Sequence, residues 1–284
     1  MKIFVDTMNL IFISYHMARK QLKDGGEEFT EDKIGFYLHM LLNKFHFIFS
    51  NYDDITFCWE GRGSKNWRKG IFPDYKGNRT TDEQTQVVFD FMPKLEELLS
   101  YYPCKQIKVD GTEADDVIYA LCEKYQDEEI IVLSTDGDLA QLSLFFPNVE
   151  VYNPILKKVN FPSEHLVIEK AIVGDKSDNI PGIHRIGPKT LEKMLNDAEE
   201  WDKVMSKGNN KTIFEDFLKI VDLRKFPKEK HLEIQEVDEN TKINEFKPDL
   251  IEMFLWGHAL KELLERWETT KANIYMNKEG KNES

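Results

Sequence analysis

"IIVLSTDGDLAQL" (130–142) opens as an apolar run of strand length, "IIVLS", and gives way at once to two acids, Asp136 and Asp138. A run so short and so apolar reads as a buried strand. Similar runs occur at "KIFV" (2–5), "ITFCW" (55–59), "KQIKV" (105–109) and "VEVY" (149–152). Between them, apolar residues at three- and four-residue spacing mark helices over 31–52, near 83–101 and over 113–125. Strands alternating with helices predict an α/β fold with a mostly parallel central sheet flanked by helices.

The chain has 284 residues, 41% of them hydrophobic, enough for one large domain or two small ones. Its 51 acids against 38 basic residues leave a net charge of −13, which excludes a generic coat for polyanions and makes any basic surface local. Cys58, Cys104 and Cys122 lie far apart, which fits a reduced compartment better than a disulfide framework. Asp6 and Asn9 interrupt the N-terminal apolar run, so no signal peptide is expected. No apolar stretch of ~18 residues occurs, so neither a membrane span nor a membrane partner is expected. A soluble cytoplasmic protein, monomeric, is the expectation.

Past Phe161 the strand pattern stops, and helices are expected near 163–174, 188–196 and 211–222. The predicted organisation is an α/β core over 1–160 with a basic region about 61–100, a helical subdomain over 161–235, and a C-terminal part over 236–284. Residues 224–248 read as charged and irregular, 249–267 as one amphipathic helix, and the remainder as a mobile tail.

Open parallel sheets bind ligands at the carboxyl ends of their strands. Asp6 closes the first strand, Glu60 the second, and Asp136 and Asp138 follow the fourth. "GTEADD" sets Glu113, Asp115 and Asp116 at a helix start, and "GDKSDN" offers Asp175 and Asp178 on one face of a helix end. Each acid alone is explained by capping or turn formation. Nine of them at one sheet edge would repel one another strongly without cations, and all-oxygen donors point to two divalent ions, Mg2+ with Mn2+ as substitute.

Opposite in sign, 61–79 carries Arg62, Lys65, Arg68, Lys69, Lys76 and Arg79 against Asp74 alone, with Trp67, Phe72 and Tyr75 interleaved. That mixture binds phosphates and stacks on bases, or else forms a solvated face. "GIHRIGPKT" (182–190) has Gly182 and Gly187 where the backbone turns tightly, then Pro188 opening a helix ahead of Lys189 and Thr190. Amides at that helix start would hold a phosphate.

On these residues the chain resembles the flap endonucleases and 5′-3′ exonucleases, most closely the stand-alone bacteriophage 5′ nucleases, over roughly residues 2–195. The matching strings are "FVD" with Asp6, "GIFPDYKGNR" ending at Arg79, "EADD", "STDGDLAQL" and "VGDKSDNIPGIHRIGPKT" (173–190). The resemblance implies a PIN-like 5′-nuclease fold with a helix-three-turn-helix subdomain formed around the last string. It implies that Asp6, Glu113, Asp115, Asp116 and Asp136 hold or orient a first metal and that Asp138, Asp175 and Asp178 serve a second. Lys76 and Arg79 would contact the scissile phosphate, and carbonyls near Ile183 and Ile186 would hold K+ against a DNA phosphate. Arg62, Lys65, Arg68, Lys69, Tyr75 and the hairpin residues Gly182, Ile183, Ile186, Gly187, Lys189 and Thr190 are the expected DNA contacts.

Two departures are visible: Glu60 stands where the family usually has aspartate, and "TMN" replaces the usual glycine-bearing turn after the first strand. The span from Arg79 to Glu113 is short for a large arch. No polymerase-like region follows, so a stand-alone enzyme is expected, in a host's cytoplasm if phage-encoded.

The activity implied is metal-dependent hydrolysis of DNA at 5′ ends, nicks and flaps, with RNA–DNA hybrids as further substrates and replication proteins met through the C-terminal region. A PIN-type ribonuclease would lack the hairpin. An aspartyl phosphatase would want an acid where Met8 stands, and a binding protein with a decayed site would rest on Glu60 alone.

Overall fold

The computed structural model describes residues 1–279. Its sheet has six strands: β1 (Lys2–Asp6), β2 (Ile55–Glu60), β3 (Lys105–Val109), β4 (Ile130–Leu133), β5 (Val149–Asn153) and β6 (Lys158–Val159). The spatial order is β3-β2-β1-β4-β5-β6. The first five run parallel, with Val5 beside both Phe57 and Leu133, and β6 is antiparallel to β5. The two-residue β6 is too short to leave a pattern in the sequence.

β1 runs straight into α1 (Thr7–Asp24), followed by α2 (Ile34–Asn51), α3 (Asn66–Ile71), α4 (Glu83–Leu99), α5 (Ala114–Lys124) and α6 (Leu142–Phe145). One apolar layer joins α1, α2 and α4 to one face of the sheet through Tyr15, Leu41, Phe45, Phe57 and Leu95. Another joins α5 to the opposite face through Phe4, Val117, Leu121 and Val132. The three cysteines are buried and unpaired.

Beyond the sheet come α7 (Leu166–Val173), α8 (Pro188–Asn196), α9 (Ala198–Met205) and α10 (Asn210–Val221). Ile172, Ile183, Leu191 and Met194 share a small separate core, which fixes the hairpin between α7 and α8.

The C-terminal third departs from the sequence reading. Within the stretch read as irregular lies α11 (Lys228–Asn240), which buries His231, Ile234 and Asp238. Asp238 binds Lys105 at 2.7 Å and Lys124 at 2.8 Å, so this helix is held to the α5 side of the sheet by ion pairs as well as by Ile234. The single helix expected over 249–267 is broken at Gly257 to Leu260, where Ala259 takes a left-handed φ of 53°, leaving α12 (Pro248–Gly257) and α13 (Lys261–Glu265). The segment read as a mobile tail is helical as α14 (Trp267–Glu279), with Trp267 and Ile274 buried in the main core. The last five positions of that expected tail lie outside the described residues. No helix among the described residues is long and apolar enough to cross a membrane.

Candidate active site

The strand order reverses between β1 and β4, so the loops leaving them diverge and open a crevice at their carboxyl ends. Asp6 ends β1 there and caps α1, accepting from the Asn9 amide at 3.1 Å. It also accepts from Ser134 Oγ, just past β4, at 2.9 Å. Asn9 Oδ1 accepts from the Thr135 amide at 3.0 Å, and Asp136 Oδ1 accepts from the Asp138 amide at 2.9 Å. Side-chain bonds between the two loops thus fix Asp6 and Asp136 as neighbouring walls.

Two hollows, each of about 540 Å3, open on this crevice. The first brings Asp6, Glu60, Asp115 and Asp136 together with Lys76 and Arg79. The second contains Asp138, Asp175 and Lys170. Asp136 and Arg79 line both. Among the described residues, no three acids converge closely enough to enclose an ion by themselves.

The acids fall into two electrostatic classes. Burial pushes Asp6 up to about 7, helped by the charges of Asp136 and Glu60, against the bonds from Asn9 and Ser134. Asp115 is raised as well, by burial and then by Asp136 and Asp6. Glu113 is the opposite case: despite burial, Lys76 at 2.7 Å and Arg68 at 3.1 Å hold it down to about 2. Asp178 accepts from Tyr75 at 3.2 Å and pairs with Arg79 at 3.0 Å, while burial still raises it. Asp175 pairs with Lys170 at 2.6 Å, and Lys170 also contacts Asp138.

Several residues lie where the sequence did not put them. Arg68, expected on DNA, is 2% exposed and grips both oxygens of Asp116 at 2.9 and 2.6 Å, so its charge is spent inside the protein. Tyr75, expected to stack on bases, is buried and donates to Glu113 at 2.9 Å. Asp116 is fully buried, and besides Arg68 it accepts from the Glu113 amide at 2.9 Å in a capping box on α5, so it orients Glu113 and faces neither hollow. Asp175 and Asp178 stand in a loop closed by paired bonds between Asp175 and Ile180, because α7 already ends at Val173.

Lys65 lines the first hollow, while Arg62 and Lys69 are exposed away from the buried cations. In the hairpin, Gly182 has φ +69° and a Cβ there would lie 2.5 Å from the Ile172 carbonyl, which is why glycine is required. Ile183 is buried, Ile186 and Gly187 are half-buried, and the Gly187 carbonyl accepts from Thr190 at 2.9 Å as α8 starts, leaving Lys189 exposed. Sequence reasoning passed over Asn9, Ser134 and Lys170. A polar residue inside an apolar run was the available signal for Asn9; for Lys170, on a helix face, there was none.

The family described as "5'-3' exonuclease, N-terminal resolvase-like domain" matches residues 1–173, and the chain belongs to it. DNA polymerase I of Bacillus subtilis (strain 168) is 31% identical over 157 residues, 50% of this chain and 18% of that protein. The ribonuclease H of Enterobacteria phage T4 is 33% identical over 162 residues, 51% of this chain and 53% of its own length. The chain therefore spans about half or less of the length of these curated relatives. The bacteriophage T5 flap endonuclease, solved as a pseudo-enzyme-product complex with DNA and metal ions, superposes with a TM-score of 0.52 at 16% identity, covering 97% of this chain and 98% of that one. The 5′-nuclease fold expected from the sequence is thus the observed one.

Proposed function

We propose that the chain is a metal-dependent 5′ nuclease of the bacteriophage type, hydrolysing DNA phosphodiesters at 5′ ends, nicks and flaps. The observation that carries this reading is the pair of acid-lined hollows joined at Asp136 and Arg79. In the first hollow the donors are all oxygens, and Asp6 and Asp115, pushed toward their protonated forms, mark it as short of positive charge, which fits a hard divalent cation.

Asp6, Glu60, Asp115 and Asp136 would hold one ion, and Asp138 and Asp175 would serve the other in place of Lys170, which pairs with both of them here. Bound there, the two ions would neutralise charge on the attacking and leaving oxygens. The chain's own groups do the rest. Glu113, locked by Lys76, Tyr75 and Arg68, fixes the Lys76 ammonium at the cleft wall. Arg79, about half exposed, can leave Asp178 for the scissile phosphate and stabilise charge developing there. The hairpin from Gly182 to Thr190 grips duplex through phosphates, with K+ at the Ile183 and Ile186 carbonyls, and reads no base. RNA–DNA hybrid would be accepted on the same terms.

The test is a 5′-labelled flap duplex incubated with Mg2+ or with EDTA. Short 5′ products are expected with Mg2+ alone. Absence of metal-dependent cleavage on flap, nick and blunt substrates would overturn the reading.

A further inference from the structure

Above the acid cleft, α1 carries a third hollow of about 430 Å3, lined by His16, Arg19, Lys20 and Lys23 and by Gln84 of α4. His16 lines this hollow and the acid cleft alike, so the two share a wall. Met8, Phe12, His16 and Lys20 recur every four residues on α1, so one helix face leads from Asp6 to the hollow. Midway, the Phe12 and Phe89 rings meet edge to face at 5.4 Å, with Phe89 more than a third exposed.

The charges in the hollow are not all committed. Arg19 pairs with Asp82 at 2.9 Å, and the loop acid Glu27 is taken by Lys33. Glu28 also stands on the rim, but Lys20 and Lys23 are exposed and make no ion pair among the described residues. An acid cleft that repels phosphate thus adjoins, past aromatic rings, a pair of uncommitted ammonium groups.

We infer that this hollow binds phosphates of the single strand lying 5′ of the cut. The inference rests on the nuclease reading. Aromatic faces receive bases while lysines hold the backbone, the division of labour of single-strand binding. The helix rise puts Lys20 roughly 21 Å from Asp6. A stacked strand crosses that distance in about six nucleotides. Contact therefore depends on flap length, which a merely basic surface would not require.

The test measures equilibrium affinity in EDTA, where nothing is cut, for nicked duplexes bearing flaps of increasing length from none to ten nucleotides. The wild type should tighten about tenfold as the flap reaches the lysines and then level off. Lys20→Glu with Lys23→Glu should lose that gain, and Lys20→Gln with Lys23→Gln should lose part of it. A wild type with no length dependence, a gain retained in the glutamate pair, or a loss equal at every length would overturn the proposal. A longest flap with and without its 5′-terminal phosphate tells which phosphate is held: extra affinity assigns the hollow to the strand's end, equal affinity to its backbone. Cleavage of a one-nucleotide flap by the wild type in Mg2+ is read in parallel. Its failure together with that of nicked and blunt substrates would sink the nuclease reading, whereas the affinity series judges the hollow alone.

Discussion

Arg68 and Asp116 are joined fork to fork, NH1 to Oδ2 at 2.9 Å and NH2 to Oδ1 at 2.6 Å, with neither side chain open to water. Trp67, Tyr75 and Phe226 surround the guanidinium. Buried in this way, the pair orients Glu113 and through it Lys76, so the wall of the first hollow is set from behind.

Removing one partner of a sealed ion pair strands the other, and Arg68→Ala should cost about 3–5 kcal/mol of folding stability. Equilibrium urea unfolding checks this. A loss under about 1 kcal/mol, with weakened DNA affinity, would return Arg68 to the nucleic-acid surface.

Asp136→Asn removes a charge common to both hollows without touching an apolar core. Cleavage should fall at least about a hundredfold, while unfolding midpoint and DNA affinity hold or the affinity rises, because one acid facing phosphate is lost. Single-turnover cleavage at saturating Mg2+ is the measurement, and a rate within a few-fold of wild type counts against the site.

At Gly182 a methyl group meets the Ile172 carbonyl, and the left-handed backbone disfavours any side chain. Gly182→Ala should cost on the order of 1–3 kcal/mol and loosen the hairpin, weakening duplex binding more than single-strand binding. Binding to the two substrates at one salt concentration separates these effects; unchanged duplex affinity would remove the hairpin from the interface.

His46 gives a pH dependence. It is 6% exposed, its Nε2 lies 3.0 Å from the Tyr102 hydroxyl, and burial lowers it from 6.5 to about 4. The unfolded chain therefore takes up a proton that the folded one refuses, so stability is full above about pH 6.5 and falls as pH drops toward 4, by roughly 3 kcal/mol. Denaturant midpoints across that window should slope less in His46→Gln; equal slopes would show that His46 is not the group responsible.

Strands buried on both faces announce themselves, and the acids at their ends follow directly, so Asp6, Glu60 and Asp136 were legible before any coordinates. Helix α11 was not, because His231 and Asp238 share its buried face with Ile234 and break the apolar rhythm. Helix α14 was hidden for a related reason: beyond Trp267 it buries Thr270 and Ile274 while the apolar Tyr275 and Met276 face solvent. Arg68 and Tyr75 show a different limit. A cation rich in aromatic neighbours looks the same in sequence whether its anion is a phosphate or the protein's own Asp116. Lys170 fell between, one lysine on a helix, meaningful only once Asp138 and Asp175 stand on either side of it.

The bond from Ser134 to Asp6 ties residues 128 positions apart, across strands that meet only when β4 docks beside β1. Contacts of such long sequence separation form late and slowly. A chain still emerging from the ribosome has Asp6 early but no opposite wall until β4 and the acids behind it have been made. The first hollow is therefore completed only when β4 joins the sheet: a piece of chain ending before residue 130 holds Asp6, Glu60 and Asp115 without Asp136.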